Sequence, residues 1–223
     1  MGIIHKLGKF NPLHIPDCVL WLEADRGVTV DGSTNVSAWA DQSGSGYHFA
    51  QTDPAKRPAY SVSVVGGKPT VDFVATYSSL AHDGWAQTQY STLIAVVQCE
   101  YTSDRVLLTR APSTTYFFGF TGTRSPSMGG VTPGPSVSGF NVLALIKDGA
   151  SSGKVVLNNG SPSNVSANFG YSQTWQYVGG NPGYDLSLGQ GIAALVLYSR
   201  ALTTAEIQRL SRAYGTKYGI TVA

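Results

Sequence analysis

The sequence predicts one all-β domain closed by a short C-terminal α-helix, on three observations. Charged residues make up only 13% of the 223, and there are 26 glycines, a balance that suits many short strands joined by tight turns rather than a helical bundle. Residues Ile192 to Tyr198 are apolar at every position, with Ile192, Ala194, Val196 and Tyr198 on one face and Ala193, Leu195 and Leu197 on the other, so a strand here must be covered on both sides. Directly after it, Thr203-Thr204-Ala205-Glu206 has the spacing of a capping box, in which the Thr203 hydroxyl accepts from the Glu206 backbone N–H and the Glu206 carboxylate accepts from the Thr203 N–H. At this length one sandwich-sized domain is a better prior than two, and no linker divides the chain.

The elements follow in order. Residues 1–16 stand apart: Ile3, Ile4, Leu7 and Phe10 are interleaved with His5, Lys6 and Lys9, and Pro12 and Pro16 rule out a long regular element. Four large apolar residues are more than a solvated tail needs, which makes this stretch a candidate arm that docks on a neighbouring subunit, ahead of a domain over 17–223. Strands are expected at 18–23 and 34–39, with a turn at Ser43-Gly44-Ser45-Gly46 where glycines permit positive φ. Short strands near 58–61 and 70–74 are followed by a core strand over Leu93 to Tyr101. Val106 to Thr109 and Tyr116 to Phe120 suggest a hairpin across Pro112-Ser113. The five glycines and three prolines of 122–139 suggest a long loop. Val142 to Lys147 and Lys154 to Asn158 are two more strands, and Asn159-Gly160 carries the strongest hairpin signal. Residues 174–178 lead through Gly179-Gly180 and Pro182-Gly183 to the closing strand. The helix after it has a hydrophobic staple, Leu202 with Ile207, and an apolar stripe through Leu210 and Tyr214. The count is about a dozen strands and one helix, with no solenoid repeat.

The run Gly-x-Ile-Ala-x-Leu-x-Leu-Tyr-x-Arg-Ala-Leu-Thr-x-x-Glu-Ile at the end of the chain resembles the closing strand and helix of laminin-G-like, concanavalin A-like jelly-roll domains. Leu20-Trp21-Leu22-Glu23-Ala24-Asp25, Trp39-Ala40-Asp41-Gln42-Ser43-Gly44-Ser45-Gly46 and Gly67-Lys68-Pro69-Thr70-Val71-Asp72-Phe73 are similar to the opening strands of the variant found in tailed-bacteriophage virion proteins. The resemblance implies an antiparallel jelly-roll β-sandwich. It also implies a structural or adhesion protein of a virion, on the head or the tail, oligomeric and bound to other virion proteins. Function follows weakly from such a fold, which serves lectins, glycosidases and viral proteins alike.

Several chemistries are disfavoured by the residues themselves. A formal net charge of +2 with scattered Lys and Arg does not suggest a nucleic-acid partner. No apolar run approaches the roughly 18 residues of a membrane span, and MGIIHKLGKF has no apolar h-region, which predicts assembly in a host cytoplasm. Cys18 and Cys99 suit buried free thiols, with a disulfide as the alternative, and cannot alone form a zinc site. Neither a metal nor any other cofactor is expected. The four histidines are far apart in sequence, and Gly149-Ala150-Ser151-Ser152-Gly153 lacks the strand-to-helix setting of a nucleophile elbow. Glu23 and Asp25 form the one acidic pair on a shared strand face, and termination of the strand is their simpler role. The expectation is a protein that is not an enzyme.

A binding surface is easier to assemble. Trp85, Tyr90, Trp175 and Tyr184 lie in or beside loop-like segments, with Asp83 and Asp185 close by in sequence. Aromatic platforms flanked by carboxylates suit surface glycans, and core or subunit packing is the competing role of these rings.

Overall fold

The computed structural model describes residues 10–86, 90–100, 103–109, 118–122, 124–129, 131, 134–166, 174–181, 187–189 and 191–223. In chain order its strands begin with β1 (Cys18–Glu23), β2 (Val28–Val30), β3 (Val36–Trp39), β4 (Phe49–Ala50), β5 (Ala59–Val65) and β6 (Lys68–Asp72). Next come β7 (Leu80–Ala86), β8 (Ser91–Gln98), β9 (Arg105–Thr109), β10 (Phe118–Thr121) and β11 (Ser125–Met128). The last are β12 (Phe140–Lys147), β13 (Ser152–Leu157), β14 (Ser163–Ser166), β15 (Thr174–Val178) and β16 (Gly191–Tyr198), before helix α1 (Thr204–Tyr218). They form two antiparallel sheets of eight strands: one runs β14-β13-β12-β8-β16-β6-β5 with β1 also paired to β16, the other β11-β10-β9-β15-β7-β4-β3-β2.

The first sheet is covered on both faces, as the unbroken apolar runs predict. Leu93, Ala95 and Val97 of β8 point between the sheets, where they meet Trp39, Phe49, Leu108 and Trp175. Ile94 and Val96 point the other way, beneath Ile207, Leu210, Tyr214 and Tyr218 of α1. All eight residues of β16 are buried, and β8 and β1 flank it. Residues 10–16 belong to the helix side of this packing. Phe10 stands edge-on to Tyr214 at 5.7 Å, Ile15 is buried, and the Tyr198 hydroxyl donates to the Pro12 carbonyl at 3.0 Å. Phe10 therefore packs on its own chain's helix, whereas Ile3, Ile4 and Leu7 lie outside the described residues.

Three details differ from the sequence expectation. The 122–139 segment contains β11, all four residues of which are buried against β10. Pro126 is tolerated there because β11 is an edge strand with no further ladder bond to give. The turn after β13 is centred on Asn158 and Asn159, at φ 47° and 60°, and not on Asn159-Gly160. Asn158 is drawn into it by its side chain, which accepts from the Val142 N–H and donates to Asn141 Oδ1, each at 2.8 Å. β7 and the short β2, β4 and β14 were absent from the sequence count: the short ones are too brief to show a period, and in β7 the bulge at Gly84 breaks the alternation.

The capping box is formed: the Glu206 N–H donates to the Thr203 hydroxyl at 3.3 Å and the Thr203 N–H to the Glu206 carboxylate at 2.9 Å. Arg200 adds a two-pronged ion pair, its Nη1 and Nη2 at 2.9 and 2.6 Å from the two oxygens of Glu206. That guanidinium, with Thr203, overcomes partial burial and pulls the carboxyl from its ordinary 4.5 down to about 2. Because the folded state binds this proton less readily than the unfolded chain, the stability it contributes is complete above pH 4.5 and lost as pH falls through about 2. Thermal melts across that window are expected to drop more steeply for the native chain than for Glu206→Gln. Parallel curves would refute the assignment.

Both thiols are free. Burial, reinforced by the Asp41 charge, pushes the Cys18 thiol up to about 12, so it is a packing residue at neutral pH.

Candidate functional site

The site grows from Asp41, a buried carboxylate in the loop after β3. Its Oδ1 accepts from the Trp21 and Ser43 N–H groups at 2.9 and 2.8 Å, and its Oδ2 from the Ser43 hydroxyl at 2.7 Å and the Tyr47 N–H at 3.2 Å. Four donors to one carboxylate fix the loop, and Gly44 and Gly46 supply the positive φ (92° and 81°) that the tight path requires. The consequence is the position of Tyr47. Its ring lies flat against Trp85 of β7, with centroids 4.3 Å apart and planes 8° from parallel.

Trp85 is aimed from the other side. Gly84 adopts φ +96°, where a Cβ would come within 2.5 Å of Thr174, and its N–H donates to His82 Nδ1 at 2.9 Å. The strand bulges here, the β15 register shifting between Trp175 and Tyr177, so that His82 and Trp85 end on the same side. His82 stands edge-on to Tyr47 at 5.4 Å and to Trp85 at 5.5 Å, with Phe49 buried beneath. Tyr47, His82 and Trp85 remain half-buried at the rim, beside the exposed Gly44-Ser45-Gly46 tip.

The sequence-predicted aromatics separate accordingly. Trp85 and Trp175 lie in strands, not loops, and face each other across the β7–β15 ladder. Trp175 is only 2% exposed and packs on Phe118 at 5.2 Å, so its ring belongs to the core. Asp83 and Tyr90 are exposed, the latter immediately before β8. Tyr184 and Asp185 lie outside the described residues. Tyr47 was missed because Trp85, the ring it stacks on, lies far away in sequence, and His82 because only the bulge at Gly84 brings it to the same side as Trp85. The signal that could have found Tyr47 is the Asp-x-Ser-Gly-x-Gly loop that ends on it.

The acidic pair has a different fate. Lys217 of α1 places its ammonium 2.7 Å from Glu23 Oε2 and 3.1 Å from Asp25 Oδ1, and Arg26 adds a contact to Glu23 at 3.5 Å. These carboxylates bond to the helix and to the following turn. No group of three or more metal-ligating side chains occurs among the described residues. Among the described residues no helix is long and apolar enough to cross a membrane. A cleft of about 490 Å³ between α1 and the outer face of the first sheet had no signature in the sequence.

No family model matches the chain, and no curated protein matches it in sequence. Solved structures do. A sialidase from Trypanosoma rangeli superposes over 91% of this chain and 34% of its own, at 17% identity and a TM-score of 0.56. An arabinofuranosidase complexed with arabinofuranosyl-α-1,2-xylobiose matches 90% of this chain and 59% of its own, at 12% identity and a TM-score of 0.61. Domain 4 of AbnA, a GH43 extracellular arabinanase from Geobacillus stearothermophilus, in complex with arabinotriose, is matched over 98% of its length and 87% of this chain, at 15% identity and a TM-score of 0.60. The chain spans about a third of the sialidase but nearly all of that arabinanase domain. Nothing in these three likenesses links the chain to a bacteriophage. At such identities the likeness carries the fold: the chain is an antiparallel two-sheet sandwich with one C-terminal helix, similar to domains found in glycosidases.

Proposed function

We propose that this chain is a non-catalytic, lectin-like carbohydrate-binding module, and that glycans seat on the rim formed by Trp85 and Tyr47. The observation that carries this is the half-buried stacked pair, held from one side by the Asp41 loop and from the other by the Gly84 bulge. Rings fixed in advance offer apolar area to the C–H face of a sugar with little torsional freedom left to lose, and backbone groups of the glycine tip offer hydrogen bonds. The match over 98% of a domain solved with arabinotriose supports the same class of ligand.

The test is a glycan array followed by titration with arabinotriose. Trp85→Ala is expected to cost about 2 kcal/mol of binding, roughly thirtyfold in Kd, as for a central aromatic anchor. Trp175→Ala should instead lower stability, because its ring is in the core. Unchanged binding by Trp85→Ala, or an array on which the native chain binds nothing, would sink the proposal. Absence of catalysis predicts no release of reducing sugar from a bound polysaccharide, and product formation abolished by Glu23→Gln would contradict it.

The finer placement, on the head or tail of a bacteriophage particle as part of an oligomer, rests on the resemblance of residues 20–25, 39–46 and 67–73. Copurification with virion particles tests it, and a chain that stays monomeric without affinity for them would count against it.

A further inference from the structure

The cleft opens between the N-terminal half of α1, the outer face of β12 and β13, and the turn that follows β13. Its floor is aliphatic: Ile146, Val156, Leu202 and Ile207 line it and are buried in the cluster beneath the helix. At one mouth Asp148 Oδ2 and the Lys154 ammonium lie 3.1 Å apart. Gln208 of α1 and Asn159 of the turn add side-chain amides to the wall. The volume, about 490 Å³, falls within the roughly 300–1,000 Å³ of small-molecule sites.

We infer that this cleft is a second saccharide site, for a neutral mono- or disaccharide, an inference that rests on the carbohydrate-binding function proposed above. Charge selects the class. Asp148 and Lys154 already neutralise each other, so a charged ligand would lose hydration on entry without meeting an uncompensated partner, while a neutral one avoids that cost. A hydroxyl both donates and accepts, so vicinal hydroxyls can accept from Lys154 and donate to Asp148 together. The remaining C–H face of the ring lies on the aliphatic floor. Among the described residues no aromatic side chain lines the cleft, so it holds a small sugar by enclosure, where the rim holds one by stacking.

The experiment uses the full chain on an array of neutral and sialylated saccharides, with Trp85→Ala, Gln208→Trp, Lys154→Met and the combinations with Trp85→Ala. Gln208 is half-buried on the helix surface, so a ring there fills the cleft; Lys154 is 46% exposed, so Lys154→Met removes a donor with little risk to folding. Trp85→Ala is expected to keep residual binding of neutral saccharides only, which falls about tenfold or more when either cleft variant is added. Loss of all neutral-sugar binding in Trp85→Ala alone overturns the cleft and leaves the rim standing, as does residual binding that neither cleft variant reduces. Binding that ignores Trp85→Ala yet vanishes in both cleft variants supports the cleft and overturns the rim. No binding by the native chain overturns both.

Discussion

Lys217→Met is expected to destabilise the fold by roughly 3 kcal/mol, the lower end of the range for a buried ion pair that loses one partner. Glu23 is only 3% exposed, and the Lys217 ammonium at 2.7 Å is its closest cation. Methionine keeps the apolar stem and deletes the charge, leaving a carboxylate at the end of β1 with only the Arg26 contact at 3.5 Å, which offsets part of the loss. Lys217 also bonds Asp25, and its ammonium sits 5.2 Å from the Tyr218 ring, so several interactions go at once. The mechanism is separable from simple truncation. In Lys217→Met/Glu23→Gln no charge is stranded, and most of the stability should return. Urea unfolding of the four proteins in this cycle measures the coupling. A single variant within about 1 kcal/mol of the native chain, or a double variant no better than the single, would show that Glu23 is not held this way.

The same residues show what the sequence could and could not display. The strand at 192–198 and the capped helix after it were legible because their determinants are local: continuous apolar character, a hydroxyl and a carboxylate three residues apart. Sheet pairing is non-local. Nothing in the spacing of Trp85 and Trp175 announces that the two face each other across a ladder, or that the register shift beside them leaves one ring in the core and the other at the rim. Tyr47 became a site residue only through a carboxylate six positions earlier that also binds the Trp21 N–H, twenty positions before that. Lys217 is, by position alone, a cation near a helix C-terminus, and its partners lie nearly the whole chain away. The cleft has no motif at all. It is the space left where a helix crosses a sheet wider than itself, and its floor residues read in sequence simply as core.

Trp39→Ala is expected to be the most damaging single substitution at the site's foundation, at roughly 3–5 kcal/mol, a large share of the about 5–15 kcal/mol that stabilises a typical domain. Its ring is fully buried between the sheets, and its Nε1 donates to the Glu23 carbonyl at 3.1 Å, tying β3 of one sheet to β1 of the other. Alanine leaves a cavity in a core that can collapse only by drawing the sheets together, and it leaves that carbonyl without its indole donor. Trp39→Phe separates the two losses: it retains most of the ring volume and removes the donor, so it should cost clearly less than alanine, with about 1 kcal/mol of its cost from the hydrogen bond. The functional consequence follows from position. Trp39 lies two residues before Asp41, so any shift of β3 moves the carboxylate that seats Tyr47 against Trp85. Trp39→Phe should therefore stay folded in urea titrations and still bind arabinotriose more weakly than the native chain. A Trp39→Phe protein with reduced stability and undiminished binding would show that the rim does not depend on this joint, and that the Asp41 loop is held by its own hydrogen bonds alone.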